Sequence, residues 1–156
     1  MNPTIEKAEQ PTEEIRVLIQ QLESELSAHY EAHQRHGLKL EAIFQPGIRF
    51  FLARRAGEAL GCGGVAFYPG FAEVKRMFVR PQARGQGIAD ALTDRLADVA
   101  RQSGRPLLRL ETGDCQRAAI RFYQRYGFRF RGPFEPYSTM PPENIATSIF
   151  MEKQLA

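Results

Sequence analysis

The chain has 156 residues, 43% hydrophobic and 25% charged, with a formal net charge of +3; that suits one globular domain and excludes a disordered chain or two ordinary domains. No apolar run reaches the roughly 18–20 residues of a membrane-spanning helix, and the opening MNPTIEKAEQPTEE lacks the apolar stretch of a signal peptide. Two cysteines outside any CxxC pairing, Cys62 and Cys115, argue against a disulfide framework or a cysteine zinc site, so the expectation is a single domain over residues 1–156, cytoplasmic, with no membrane partner and no metal.

In chain order, Ile15, Leu18, Ile19, Leu22 and Leu26 recur at helical spacing after Pro11-Thr12, which predicts a helix from about Thr12 to about Tyr30. A shorter helix is expected near Lys39–Phe44, before Pro46-Gly47. The period then changes. Ile48–Arg54, Ala59–Phe67 and Phe71–Val79 are rich in β-formers and separated by turn residues, as in an antiparallel meander. Gly61, Gly63 and Gly64 point to a bulge or a close backbone approach. From Gly87 to about Gln102, the residues Ile88, Ala91, Leu92, Leu96 and Val99 share one helical face, with Gly104 as the terminating residue. Pro106–Leu110 reads as a short buried strand. Asp114 is expected to cap a helix running to about Tyr126 and closed by Gly127. Strands near Phe128–Arg131 and Ala146–Glu152 complete an α/β (α+β) sheet with helices on both faces.

The charge is unevenly spread. Between Val74 and Arg131 there are 13 Lys/Arg against 5 Asp/Glu, a local +8, and the remainder carries −5. Nearly all the cations of the central block are arginines, whose planar fork suits phosphate oxygens. A solvated helix face is the plainer account of such charge.

The run from Glu73 to Ala89 (EVKRMFVRPQARGQGIA) joins a strand, a glycine-bearing turn and an amphipathic helix. Backbone N–H groups at such a helix start form an anion site. Gly85 and Gly87 keep Cβ atoms away from a pyrophosphate, and Arg84 and Arg80 add charge. The run lacks the lysine of a P-loop, and its glycine spacing is not that of a Rossmann turn. Arg84-x-x-Gly87-x-Ala89 resembles the signature of the GNAT N-acetyltransferase superfamily. Ala118–Phe128 (AAIRFYQRYGF) is similar to the later helix of that family, in the expected order with a strand between. The block as a whole resembles one bacterial branch of small GNAT enzymes with diverse substrates.

The resemblance covers roughly Phe50 to Glu152 and implies a GNAT-like mixed, mostly antiparallel sheet. Phe71–Val79 and Pro106–Leu110 would be its central parallel strands and would splay apart. It implies acetyl-CoA as the acyl donor, with pantetheine along Met77, Phe78 and Val79 and the pyrophosphate on Arg84, Gly85, Gln86, Gly87, Ile88 and Ala89. The implied reaction is acetyl transfer to a primary amine by direct attack on the thioester. A small-molecule or amino-acid-like acceptor is expected, with a protein amine as the alternative, and family members are often homodimers. Tyr123 matches the tyrosine that faces the thioester sulfur and also the cofactor. Its other reading is a buried aromatic beside Phe122 and Tyr126. Glu73 matches a general base of the histone-acetylating branch; its other reading is an exposed strand carboxylate paired with Lys75 or an arginine. A backbone N–H near Val79 would stabilise charge on the carbonyl oxygen. Glu111 is a second candidate base or acceptor contact, Arg117 and Arg121 candidate phosphate contacts, and Tyr30 and Tyr137 candidate acceptor-site walls.

Three other functions compete with this reading. His29 and His33 are four apart and could share a helix face as metal ligands, but the run His-Tyr-Glu-Ala-His is not the HExxH of a metalloprotease. A GNAT fold could also bind acyl-CoA as a non-catalytic sensor or interaction module. A nucleic-acid binder would need the aromatic pattern that this arginine-rich block lacks.

Overall fold

The computed structural model describes residues 2–155. Its frame is a seven-stranded sheet in the order β1-β2-β3-β4-β5-β7-β6. The meander β2 (Ile48–Arg55), β3 (Glu58–Tyr68) and β4 (Phe71–Val79) forms where the apolar runs and turns place it. An edge strand β1 (Thr4–Ala8) pairs with β2 and was not expected from the sequence, because its polar residues offer no alternating apolar face. β5 (Leu107–Gly113) runs three residues past its expected end, and β7 (Ser148–Gln154) pairs with both β5 and the short β6 (Arg129–Arg131).

Helices cover both faces, the first in the chain on one and the second and third on the other. In α1 (Glu13–Ser27), the Thr12 hydroxyl accepts from the Ile15 N–H and two glutamates occupy the first turn, both favourable at a helix N-terminus. Its buried stripe Ile15, Leu18, Ile19 and Leu22 packs on Phe50, Leu52, Cys62 and Phe78. The helix stops at Ser27, short of the expected Tyr30. In α2 (Ile88–Gln102), the stripe Ile88, Leu92, Leu96 and Val99 packs on the opposite face, against Phe51, Val65, Leu108 and Met151. Leu92 and Leu96 are fully buried, each contributing about 1.5–3 kcal/mol. Gly104 (φ +75°) closes this helix, its N–H bonding the Arg101 carbonyl and the Arg105 N–H that of Ala100.

Helix α3 (Arg117–Tyr126) ends on Gly127, as the sequence indicates, but Asp114 does not cap it. Gln116 holds that place, and the Asp114 carboxylate instead accepts from the Tyr30 hydroxyl at 3.3 Å. The short α4 (Pro142–Ile145) follows a 3-10 turn at Tyr137–Thr139. The expected Lys39–Phe44 helix is likewise a 3-10 turn, Leu40–Phe44.

What positions the site is a failure of pairing. The parallel strands β4 and β5 are in register only over Phe71–Glu73 and Leu107–Arg109. Past that point β4 stays with β3 and β5 stays with β7, so the two part. The glycine cluster in β3 has its reason here. The β3–β4 register shifts between Cys62 and Gly64, opposite a bulge at Arg76 with φ +55°. A side chain at Gly61 would lie 2.8 Å from the Phe78 carbonyl oxygen.

Candidate active site

A cleft of about 540 Å³ opens where β4 and β5 diverge, walled by the end of α1 and the starts of α2 and α3. At one end lies the turn before α2. Gly85 and Gly87 have φ of +78° and +85°, and a Cβ at either would project into open space. The N–H groups of Ile88, Ala89 and Asp90 lie in the first turn, where a helix supplies no acceptor of its own. They present a positive dipole end to the cleft. Arg84 lies beside them, its Nε donating to the Val79 carbonyl at 2.8 Å and its guanidinium to Glu25 of α1 at 2.7 Å. Because the Arg80 N–H turns to Leu60 in β3, strand alternation turns the Val79 N–H toward the cleft. Tyr123 of α3 also lines the cleft. It is buried between Phe122 and Phe128, and burial pushes its phenol well above the ordinary tyrosine value.

At the other end, polar groups are layered behind apolar walls. Glu73 is 1% exposed. Its Oε2 accepts from the Tyr137 hydroxyl at 2.5 Å and from Lys75 Nζ at 3.1 Å, and Lys75 also donates to the Tyr137 oxygen at 2.9 Å. The Glu73 Oε1 atom is buried without a partner among the described residues. Across from it on β5, the Glu111 carboxylate accepts from Ser148 at 2.7 Å. Burial raises its pKa against the lowering effect of that hydroxyl, of His36 and of Lys75. His36 meets the Tyr137 ring edge-on at 5.4 Å, its Nε2 against the Asn144 carbonyl. Tyr30 forms part of the wall, its oxygen accepting from the Cys115 N–H at 2.7 Å.

The acetyltransferase (GNAT) family pattern matches residues 16–128. The chain belongs to that family. An IAA acetyltransferase of Azospirillum brasilense is 42% identical over 156 residues, 99% of each chain. A Klebsiella pneumoniae protein assigned as an acyl-CoA N-acyltransferase superposes with a TM-score of 0.79 at 34% identity, over 99% of this chain and 98% of that one. The PaiA N-acetyltransferase of Thermoplasma acidophilum, solved with coenzyme A, shares the fold at a TM-score of 0.68 and 16% identity, over 97% and 99%. As a family member the chain is an acyltransferase with acetyl-CoA as its co-substrate. The residues present fit that group: two Cβ-free positions front an unpartnered helix N-terminus at the head of a long, splayed cleft.

The acetyltransferase places most residues named from its sequence on this cleft, including Met77, Phe78, Val79, Arg84, Gly85, Gly87, Ile88, Ala89, Glu73, Glu111 and Tyr123. Gln86 is an exception. Its side chain turns outward, bonding Arg55 and the Gln82 carbonyl, so only its backbone can face a ligand. Arg80, Arg117 and Arg121 are absent from the walls, and Arg125 of α3 is present. Glu73 does pair with Lys75, but it is buried and not an exposed strand carboxylate. Because α1 ends at Ser27, His29 and His33 do not share a helix face, and no metal-binding cluster occurs among the described residues. No helix is long and apolar enough to cross a membrane. Sequence reasoning misses Ser148 and Arg35, and it reads His36 with His29 and His33 as a solvent-facing helix end near the acceptor cleft. Lys75 could have been read as a cleft residue, since it stands two positions from Glu73 on the same strand face.

Proposed function

We propose that this acetyltransferase acetylates the primary amine of a small, amino-acid-like molecule. The reading is carried by Glu73, a buried carboxylate among the residues lining the cleft, whose Oε1 has no hydrogen-bond partner among the described residues. When bound, acetyl-CoA supplies an acetyl group activated as a thioester. An alkyl ammonium of pKa near ~10.4 must lose a proton before it can attack. Glu73 Oε1 accepts that proton, directly or through one water, while Lys75 and Tyr137 fix the carboxylate through Oε2. The nitrogen–carbon bond forms as the carbon–sulfur bond breaks. The Val79 N–H supports the negative charge that develops on the carbonyl oxygen. Tyr123, kept protonated by its burial, donates to the departing sulfur and is resupplied with the second proton that the nitrogen sheds as the amide forms, while Glu73 releases the first to solvent. The products are an amide and a free thiol. Most of the acceleration comes from holding the two reactants in line, with side chains contributing the remainder.

The test begins with calorimetric titration of acetyl-CoA, followed by thiol release over a panel of amines. Micromolar binding that is lost in Gly87→Glu, with thiol release from small amines, is expected. Normal binding by Gly87→Glu would refute the pyrophosphate assignment. Binding without turnover on any amine would convert the reading to a non-catalytic acyl-CoA module.

A further inference from the structure

Four buried side-chain nitrogen or oxygen atoms lack a hydrogen-bond partner among the described residues. Two of them, Glu73 Oε1 and Arg35 Nε, belong to residues lining the cleft. They have opposite character, one an acceptor on an anion and the other a donor on a cation. Burying such atoms unpaired is unfavourable, more so when the group is charged. Both side chains belong to the cleft lining, and each keeps hydrogen-bonding capacity that no group among the described residues takes up.

The charge around Arg35 is also unbalanced. Its guanidinium donates to Glu23 Oε2 at 2.7 Å, while Glu23 Oε1 engages Arg76 of the β4 bulge. Arg76 spends its Nε on the Leu38 carbonyl at 2.8 Å. Two guanidinium groups thus share one carboxylate. The neighbouring Glu25 offers no relief, since it is committed to Arg84. A surplus positive charge remains on this wall. The two orphan atoms lie in neighbouring networks. Arg35 precedes His36, whose ring packs on Tyr137, the phenol that donates to Glu73. Arg76 follows Lys75, which pairs with the same carboxylate.

We infer that the acceptor is zwitterionic. Its amine meets Glu73, and an acid group on the same small molecule, a carboxylate or a phosphonate, is read by Arg35 with Arg76 supporting the charge. A guanidinium fork presents paired N–H donors to either acid. This rests on the amine-acceptor reading above and adds the second recognition element. The competing role for Arg35 is a clamp that only ties its loop to α1.

The test compares kcat/KM by thiol release for a matched series: an α-amino acid, its amide, its decarboxylated amine and its phosphonate counterpart. The acid-bearing members are expected to be favoured by about 10- to 150-fold, the range of a hydrogen bond to a charged group. Preference for one acid over the other identifies the group and supports the assignment. In Arg35→Met the ratio of acidic to neutral acceptor should collapse toward one, mainly through KM, with part retained in Arg35→Lys. Thermal melts and acetyl-CoA titration establish that both variants fold. Equal use of acidic and neutral members by the unaltered protein would overturn the inference. So would an unchanged ratio in an Arg35→Met protein that binds acetyl-CoA normally. Absence of thiol release from every member would overturn the amine reading and this inference with it, an outcome distinct from turnover without discrimination.

Discussion

Tyr123→Phe separates a proton donor from a packing residue. The ring is held edge-on by Phe122 at 5.2 Å and Phe128 at 5.3 Å between centroids, contacts that phenylalanine keeps. Burial alone raises the phenol pKa, with no hydrogen bond contributing, so removing the oxygen breaks no hydrogen bond among the described residues and leaves the ring packing intact. The catalytic cost follows from the leaving group. A thiol of pKa near ~8.5 departing at pH 7 as an unprotonated thiolate is about 1.5 pKa units uphill, or about 2 kcal/mol. The expected loss in kcat is therefore roughly 30-fold, at the low end of general acid effects. It should shrink toward pH 9, where the thiolate needs no proton. The assay is steady-state thiol release from pH 7 to 9, with acetyl-CoA affinity measured by calorimetry and expected to hold within about twofold. A kcat within twofold of the unaltered protein at pH 7 would refute the donor role and leave Tyr123 as a wall of the cleft.

Three further outcomes are expected. Gly87→Ala places a Cβ on a residue with φ +85°, which costs about 1–2 kcal/mol and should lower Tm by roughly 2–8 °C; an unchanged melt would mean that the turn relaxes. Lys75→Met strands the buried Glu73 carboxylate with one phenol donor, a loss of about 3–5 kcal/mol. The double variant Glu73→Gln/Lys75→Met should recover part of it in denaturant titrations, and no recovery would show that Lys75 stabilises by packing alone. Glu111 has a folded-state pKa raised chiefly by burial. Its favourable contribution is present below the unfolded value near ~4.3 and is lost as pH rises through the folded value. Glu111→Gln keeps an oxygen for Ser148 and should raise Tm at pH 7.5 but not near pH 4. An equal shift at both would rule out ionisation as the cause.

The parts of this molecule legible from sequence are those fixed by local chemistry. The α1 and α2 stripes show because a helix must bury every third or fourth residue. Gly85 and Gly87 show because the turn requires positive φ at both positions. β1 was invisible because an edge strand with exposed Glu6 and Lys7 needs no apolar period. Asp114 looked like a cap because short acidic residues favour that place, but a tertiary partner, Tyr30, 84 residues away, claimed it. The far end of the cleft was the least legible part. His36 meets the Asn144 carbonyl across 108 positions and Arg76 meets Glu23 across 53, and no local pattern encodes such meetings.

Opening the sheet between β4 and β5 leaves an edge whose geometry must be held by something other than a neighbouring strand. The bulge at Arg76 is the strained point, since a left-handed conformation outside glycine costs about 1–2 kcal/mol. Three contacts offset it: Cys62 Sγ donates to the Arg76 carbonyl at 3.4 Å, Arg76 Nε donates to Leu38, and the guanidinium engages Glu23. Further along the same edge, the Val79 carbonyl is taken by Arg84, which Glu25 steadies. The acidic residues of α1 thus support both ends of the opened strand. This alters what the basic block means. Arg76, Arg84, Arg101, Arg109 and Arg131 each meet a carboxylate within the fold. A nucleic-acid surface needs cations left to phosphates, whereas Arg76 and Arg84 are spent on holding the edge of the cleft. At Arg76 and Arg84 the segregation of charge is complementarity between α1 and the splayed strand, which fixes the edge of the cleft.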